Sequence, residues 1–144
     1  MKILIINGPN LNLLGQREPE IYGSKGFDGY FEKVQKEFSD QTELSYYQSN
    51  VEGEIINALH ENMSQVDAVV INAGGYTHTS IAIGDALGAI DKPCIEVHIS
   101  NVYARETYRH ESKLAARCIG VISGLGLDVY RLAIDHLIRH EKNS

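Results

Sequence analysis

The stretch DAVVINA, residues 67–73, sets four consecutive apolar residues between an acid and an asparagine. An alternating pattern would mark a strand with one wet face. A continuous one needs cover on both sides, as strands inside a parallel sheet have. Working outward, KILIIN (2–7) and PCIEVHI (93–99) have the same character, ELSYYQS (43–49) is more mixed, and CIGVIS (118–123) is a shorter fifth strand. Helical spacing lies between them. Phe27, Tyr30 with Phe31, Val34 and Phe38 form one stripe, and Ile55 with Ile56, Leu59 and Met63 form another. Residues 79–90 carry Ile81, Ile83, Leu87 and Ile90, with Thr79 and Ser80 as caps, and a last helix runs over about 125–140. Strand followed by helix, repeated, predicts an open α/β sheet of five parallel strands.

The chain has 144 residues, a length that suits one domain, 1–144. It is 43% apolar and 22% charged, with a formal charge of −6 and a pI near 5.4. That balance argues against general nucleic-acid binding, which wants a basic face. It leaves room for a small anion, because a local cluster can outvote the global charge. The start MKILIIN has five apolar positions before Asn7, too short for a signal peptide, and no apolar run reaches transmembrane length. Cys94 and Cys118 are too few for a disulfide scaffold, and Cys94 reads as a buried thiol. A reducing cytoplasm fits.

In an open sheet, ligands bind beyond the carboxyl ends of the strands. The polar clusters follow those ends: NGPN (7–10), NAGGYTHTS (72–80) and HISN (98–101). The coincidence predicts one site. The segment from Gly8 to about Gly26 is long and non-periodic for a strand-to-helix connection and reads as a lid. It holds Asn10, Arg17 and Tyr22 but no nucleotide phosphate loop. A surface loop with a solvated Arg and Tyr is the plain alternative. An Arg17 close to Tyr22 would instead stabilise tyrosinate. A free phenol has a pKa of about 10, and bringing it toward neutrality takes roughly 2–4 kcal/mol, within reach of one or two partly buried cations.

Asn72 closes the third strand. Gly74 and Gly75 allow close backbone approach and offer bare amides to an anion, and a helix starting near Thr79 adds favourable potential. A capped glycine turn and a structural His78 are the alternatives. Asp85 is either a solvated helical acid or a residue acting across a subunit contact. Glu96 and His98 stand two apart and so share a strand face, and a carboxylate there fixes the histidine tautomer. A buried polar pair without chemistry is the other reading. Arg105 and Arg109 share a helix face if 102–110 is helical. No motif suggests a metal, and the serines lack a GxSxG elbow. Read alone, these residues leave three classes open: an enzyme that moves protons on an anionic substrate, a non-catalytic anion-binding module, and a structural oligomer former.

INGPNLNLLGQREPEIYG (6–23), QSNVEGEI (48–55), INAGGYTHTSIAIGDAL (71–87) and EVHISNVYARETYRHES (96–112) together resemble the signature blocks of the type II 3-dehydroquinate dehydratases, in order and across essentially the whole chain. The resemblance implies a flavodoxin-like fold and a cofactor-free lyase, typically a dodecamer of four trimers. It implies that Tyr22 is the general base, with Arg17 stabilising its phenolate and Asn10 orienting a water near the enolate oxygen. His98 would be the acid and Glu96 its partner. Asn72, His78 and Arg109 would bind substrate, with Gly74, Gly75 and the Ile99–Ser100 segment beside its carboxylate. Arg105 would serve lid closure and Asp85 a neighbour's site. Gly84 departs from the pattern, standing where Arg is common.

Overall fold

The structure, a computed structural model, describes residues 1–14 and 26–143. Five strands, β1 (Lys2–Asn7), β2 (Glu43–Gln48), β3 (Ala68–Asn72), β4 (Cys94–His98) and β5 (Gly120–Ser123), form one sheet in the order β2-β1-β3-β4-β5, all parallel. The helices are α1 (Gly26–Glu37), α2 (Glu52–Asn62), α3 (Ile81–Ile90) and α4 (Asp128–Lys142). Parallel pairing needs crossovers, and right-handed crossovers put helices on both faces. Alternate strand residues then belong to two separate cores. Ile3, Ile5, Val70, Ile95 and Val97 pack with Phe27 and Val34 of α1 and with Ala133, Ile134 and Leu137 of α4. Leu4, Ile6, Val69, Ile71 and Cys94 pack with Ile55 and Leu59 of α2 and with Ile83, Leu87 and Ile90 of α3. The unbroken apolar runs are explained by this double cover.

Several expectations shift. The first turn of α3 is capped by Ser80, whose Oγ accepts from the Ile83 amide at 2.9 Å, while Thr79 serves no such role. The last helix starts later and ends later than 125–140. Its final turn runs through His140 to Lys142. The conditional helix over 102–110 is absent. Two short 3-10 turns, Val102–Ala104 and Thr107–His110, take its place. Only Val102 among these residues is buried. A segment without an apolar stripe has nothing to hold it as a long helix against the sheet. The lid reading falls largely on residues 15–25, outside the described residues.

β1 and β3 end level, with Asn7 paired to Asn72. The chain after β1 then passes very close to the turn after β3. The Gly8 amide donates to the Asn72 carbonyl at 2.7 Å. A Cβ on Gly8 would stand 2.4 Å from the Ala73 carbonyl oxygen and 2.6 Å from its carbon. Backbone on both sides leaves no flexible atom to yield. Gly8→Ala is expected to cost roughly 1–3 kcal/mol through overpacking, read as a lower urea midpoint; an unchanged midpoint would contradict the close approach.

Candidate active site

The carboxyl edge of the sheet carries a crevice of about 420 Å³ lined by Pro9, Asn10, Leu11, Leu14, Asn72, Gly74, Gly75, His78, His98, Ile99, Ser100, Val102, Arg105 and Arg109. The three strand-end clusters therefore do converge on one place. A shallower depression of about 470 Å³ lies at the opposite, amino edge, against Met1, Lys2, Asp40 and Glu43. Its charges are mixed in sign and no histidine lines it, so the chemistry belongs to the carboxyl edge.

The floor is built from strand ends. Asn7 and Asn72 are both buried, and both are tied to Tyr130 of α4. The Tyr130 hydroxyl donates to Asn7 Oδ1 at 2.7 Å and accepts from Asn72 Nδ2 at 3.0 Å. Asn72 Oδ1 accepts from the Gly74 amide at 3.2 Å. That amide is consequently not bare, contrary to expectation. Gly74 does need its glycine: its φ is +60°, and a Cβ would meet the Pro9 carbonyl at 3.0 Å. Gly75 has open space around a would-be Cβ, and nothing in the structure requires glycine there. The first turn of α3 contributes no lining residue.

Glu96 and His98 sit on one face of β4, 2% and 7% exposed. His98 Nε2 lies 2.6 Å from Glu96 Oε2. A carboxylate accepts, so Nε2 carries a proton, and among the described residues Nδ1 has no partner. The His78 ring stacks on His98 with centroids 6.2 Å apart, and its Nδ1 is 2.8 Å from the Glu111 carbonyl. Beyond β4, Arg105 Nη1 donates to Ser100 Oγ at 3.4 Å. Arg109 Nε donates to Glu106 Oε2 at 2.7 Å. Both arginines reach the crevice without the expected helix face. Glu106 is an exposed acid held below its ordinary range first by its own backbone amide and then by Arg109.

Other ionisable groups are kept out of play. Burial pushes Tyr30 up to about 12 and raises Tyr46. Tyr130 is raised further by complete burial, against the opposing bonds from Asn72 and Asn7. Burial pushes both Cys94 and Cys118 up to about 12, so neither is a nucleophile near neutrality. Among the described residues no three His, Cys, Asp or Glu side chains come together as a metal site would need.

Asp85 does not reach the crevice of its own chain; its side chain is 69% exposed and pairs with Arg117 at 3.8 Å. Arg17 and Tyr22 lie outside the described residues. Tyr130 and Asn7 were not singled out from the sequence. Asn7 had a signal, a polar residue closing an apolar strand, but Tyr130 had none beyond its place in a helical stripe.

A parallel sheet ordered 2-1-3-4-5, with a cationic and imidazole-bearing crevice past its carboxyl ends, defines a flavodoxin-like α/β protein built to receive a small anion. The chain belongs to the class II dehydroquinase family, whose model matches residues 1–138. A 3-dehydroquinate dehydratase of Exiguobacterium is 56% identical over 143 residues, covering 99% of this chain and 98% of that relative. The crystal structure of the type II dehydroquinase from Butyrivibrio crossotus superposes with a TM-score of 0.88 at 48% identity, covering 95% of this chain and 97% of that one. A 3-dehydroquinate dehydratase-like protein from Bifidobacterium longum is more distant, at a TM-score of 0.67 and 27% identity over 96% of each chain.

Tyr130→Phe removes one donor and one acceptor from two buried asparagines. It is expected to cost about 1–3 kcal/mol of stability, measured by urea unfolding; a wild-type midpoint would mean that Asn7 and Asn72 are satisfied without the hydroxyl.

Proposed function

We propose that the carboxyl-edge crevice is where this class II dehydroquinase removes water from 3-dehydroquinate to give 3-dehydroshikimate, by anti elimination through an enolate and without a Schiff base. The observation that carries this reading is the buried Glu96–His98 pair at 2.6 Å, opening onto a crevice that two arginines also reach. The substrate is a carboxylate with a C3 ketone, an acidic C2–H and a tertiary C1 hydroxyl. It needs an anion grip, a base and an acid.

Tyrosinate at Tyr22, its phenolate favoured by Arg17, takes the C2 proton. Tyr30, Tyr46 and Tyr130 cannot substitute, since burial keeps them protonated. Electrons move onto the C3 oxygen, where a water oriented by Asn10 donates. The enolate then expels the C1 hydroxyl, and His98 supplies the proton that makes it water. His98 acts here as the imidazolium: with Glu96 on Nε2, the proton transferred is the one on Nδ1, which leaves the neutral Nε2–H ring. A proton then returns from Tyr22 to His98 through solvent, restoring both groups. Arg109 and the Ile99–Ser100 segment hold the carboxylate, with Asn72, Gly74, Gly75 and His78 along the ring and Arg105 closing over it.

The proposal extends to a homo-oligomer, a dodecamer of four trimers, with the whole chain 1–144 as a single catalytic domain. Ile81 and Asp85 stand one turn apart on an exposed face of α3, at 65% and 69% exposure. β5, an edge strand, leaves Val121 wet, with Ile119 beside it. A second copy covering α3 would bury Ile81 and carry Asp85 into a neighbour's crevice. The free thiols Cys94 and Cys118 fit a cytoplasmic place, and no helix among the described residues is long and apolar enough to cross a membrane.

Turnover is followed by the ultraviolet absorbance of the conjugated enone product. His98→Ala and Tyr22→Phe are each expected to lower kcat by at least about 100-fold with binding retained. Borohydride added with substrate should leave the chain mass unchanged. Turnover near wild type in either variant, or a reduced adduct, would contradict the mechanism. Ile81→Glu should shift the assembly to smaller species by light scattering; an unchanged mass would remove α3 from the contact.

A further inference from the structure

We propose that Ser112 is a positioning residue for the dehydration: its hydroxyl locks the Glu96 carboxylate that orients His98. It does so within a strap, residues 111–114, that places both crevice histidines. The inference rests on the dehydratase reading above. Ser112 does not line the crevice, so it acts on turnover through the groups it holds, Glu96 first among them.

The bonding is fully committed. Ser112 Oγ donates to Glu96 Oε1 at 2.6 Å, while Glu96 Oε2 faces His98 Nε2 at 2.6 Å. A serine hydroxyl has one proton, and here it goes to Glu96. The same oxygen accepts the amides of Leu114 and Ala115, each at 3.0 Å. Turning the hydroxyl away would orphan those amides and one carboxylate oxygen together, at a cost that rises with burial. Glu96 is 2% exposed, so no bulk water stands ready to replace the lost bond. With both oxygens engaged, the carboxylate cannot rotate, and His98 meets its acceptor at one point in space.

The rest of the strap holds the second histidine. The Glu111 carbonyl is 2.8 Å from His78 Nδ1, and the Lys113 amide donates to the Thr77 carbonyl at 2.8 Å. Leu114, 0% exposed, anchors the strap in the core beside α3. Gly84 of α3 admits it, since a Cβ there would stand 2.6 Å from the Lys113 carbonyl oxygen. One short segment thus sets His78 by its backbone and His98 through a carboxylate. The stacked pair, with 19° between ring planes, follows from both.

The test compares Ser112→Ala, Ser112→Thr and Ser112→Cys with the wild-type chain. Ser112→Ala is expected to lower kcat about 10–100-fold, with KM within about twofold, since binding groups are untouched. The low-field proton resonance of His98 Nε2–H should broaden or move in Ser112→Ala. Ser112→Thr, which keeps the hydroxyl, should recover kcat to within about threefold of wild type. Ser112→Cys keeps the size with a weaker donor and should fall between, giving a reading even if the alanine variant does not fold. Wild-type turnover with an alanine or cysteine variant of unchanged kcat and unchanged resonance would overturn the role of Ser112 alone. A fall carried by KM, or a threonine variant no better than alanine, would overturn it too. Absence of turnover in the wild-type chain would instead overturn the dehydratase reading beneath it.

Discussion

A carboxylate and an imidazole locked together inside a sheet are the constraint around which this structure is arranged. Glu96 and His98 occupy successive inward positions on β4 and are almost wholly buried. A buried charge is tolerated only with partners on its remaining lone pairs. The protein supplies them from outside the strand, through Ser112 and the turn that carries it. β4 itself can hold this pair because β3 and β5 flank it and both faces are covered. Parallel pairing then sends the ends of β1, β3 and β4 to the same edge, so the pair opens where Asn10, Asn72 and His78 already stand. Fold and site are in this sense one arrangement.

The crevice also reconciles a net charge of −6 with an anionic substrate. Arg105 and Arg109 come from a segment of short 3-10 turns rather than from an α-helix or a strand. They are steadied by short-range contacts: Ser100 for the first, Glu106 and the Tyr108 ring for the second. Glu106 lies near both guanidinium groups, at 4.0 Å from Arg105 Nε and 2.7 Å from Arg109 Nε. It is more than half exposed, so water screens it and the arginines keep most of their reach for a ligand. Local placement, rather than overall charge, decides what such a crevice attracts.

The strands were legible because continuous Val and Ile runs have few other uses in a chain this size. Helices α1, α2 and α3 were legible from apolar spacing. The segment from Val102 to His110 was not. Its residues are polar and spaced as a helix would space them, yet no apolar stripe ties them to the sheet. Most of their hydrogen bonds run instead to close neighbours within residues 100–110. Glu96 and His98 could be read as a facing pair from strand periodicity alone. Their third member could not, since Ser112 lies 16 residues from Glu96 and meets it only through the fold. Tyr130 poses the same problem at larger distance, bonding Asn7 from 123 residues away. Polar networks that join distant segments leave no local period, and so the packing was legible where the support of the site was not.

The most direct check on the central claim is a crystal structure of the assembled protein with a non-reacting analogue that keeps the C1 hydroxyl and carboxylate. The account predicts a ring nitrogen of His98 within about 3 Å of that hydroxyl oxygen, with Glu96 still on the opposite nitrogen and the carboxylate at Arg109 and the Ile99–Ser100 segment. An analogue seated with its hydroxyl beyond reach of His98, in every copy of the chain, would contradict it.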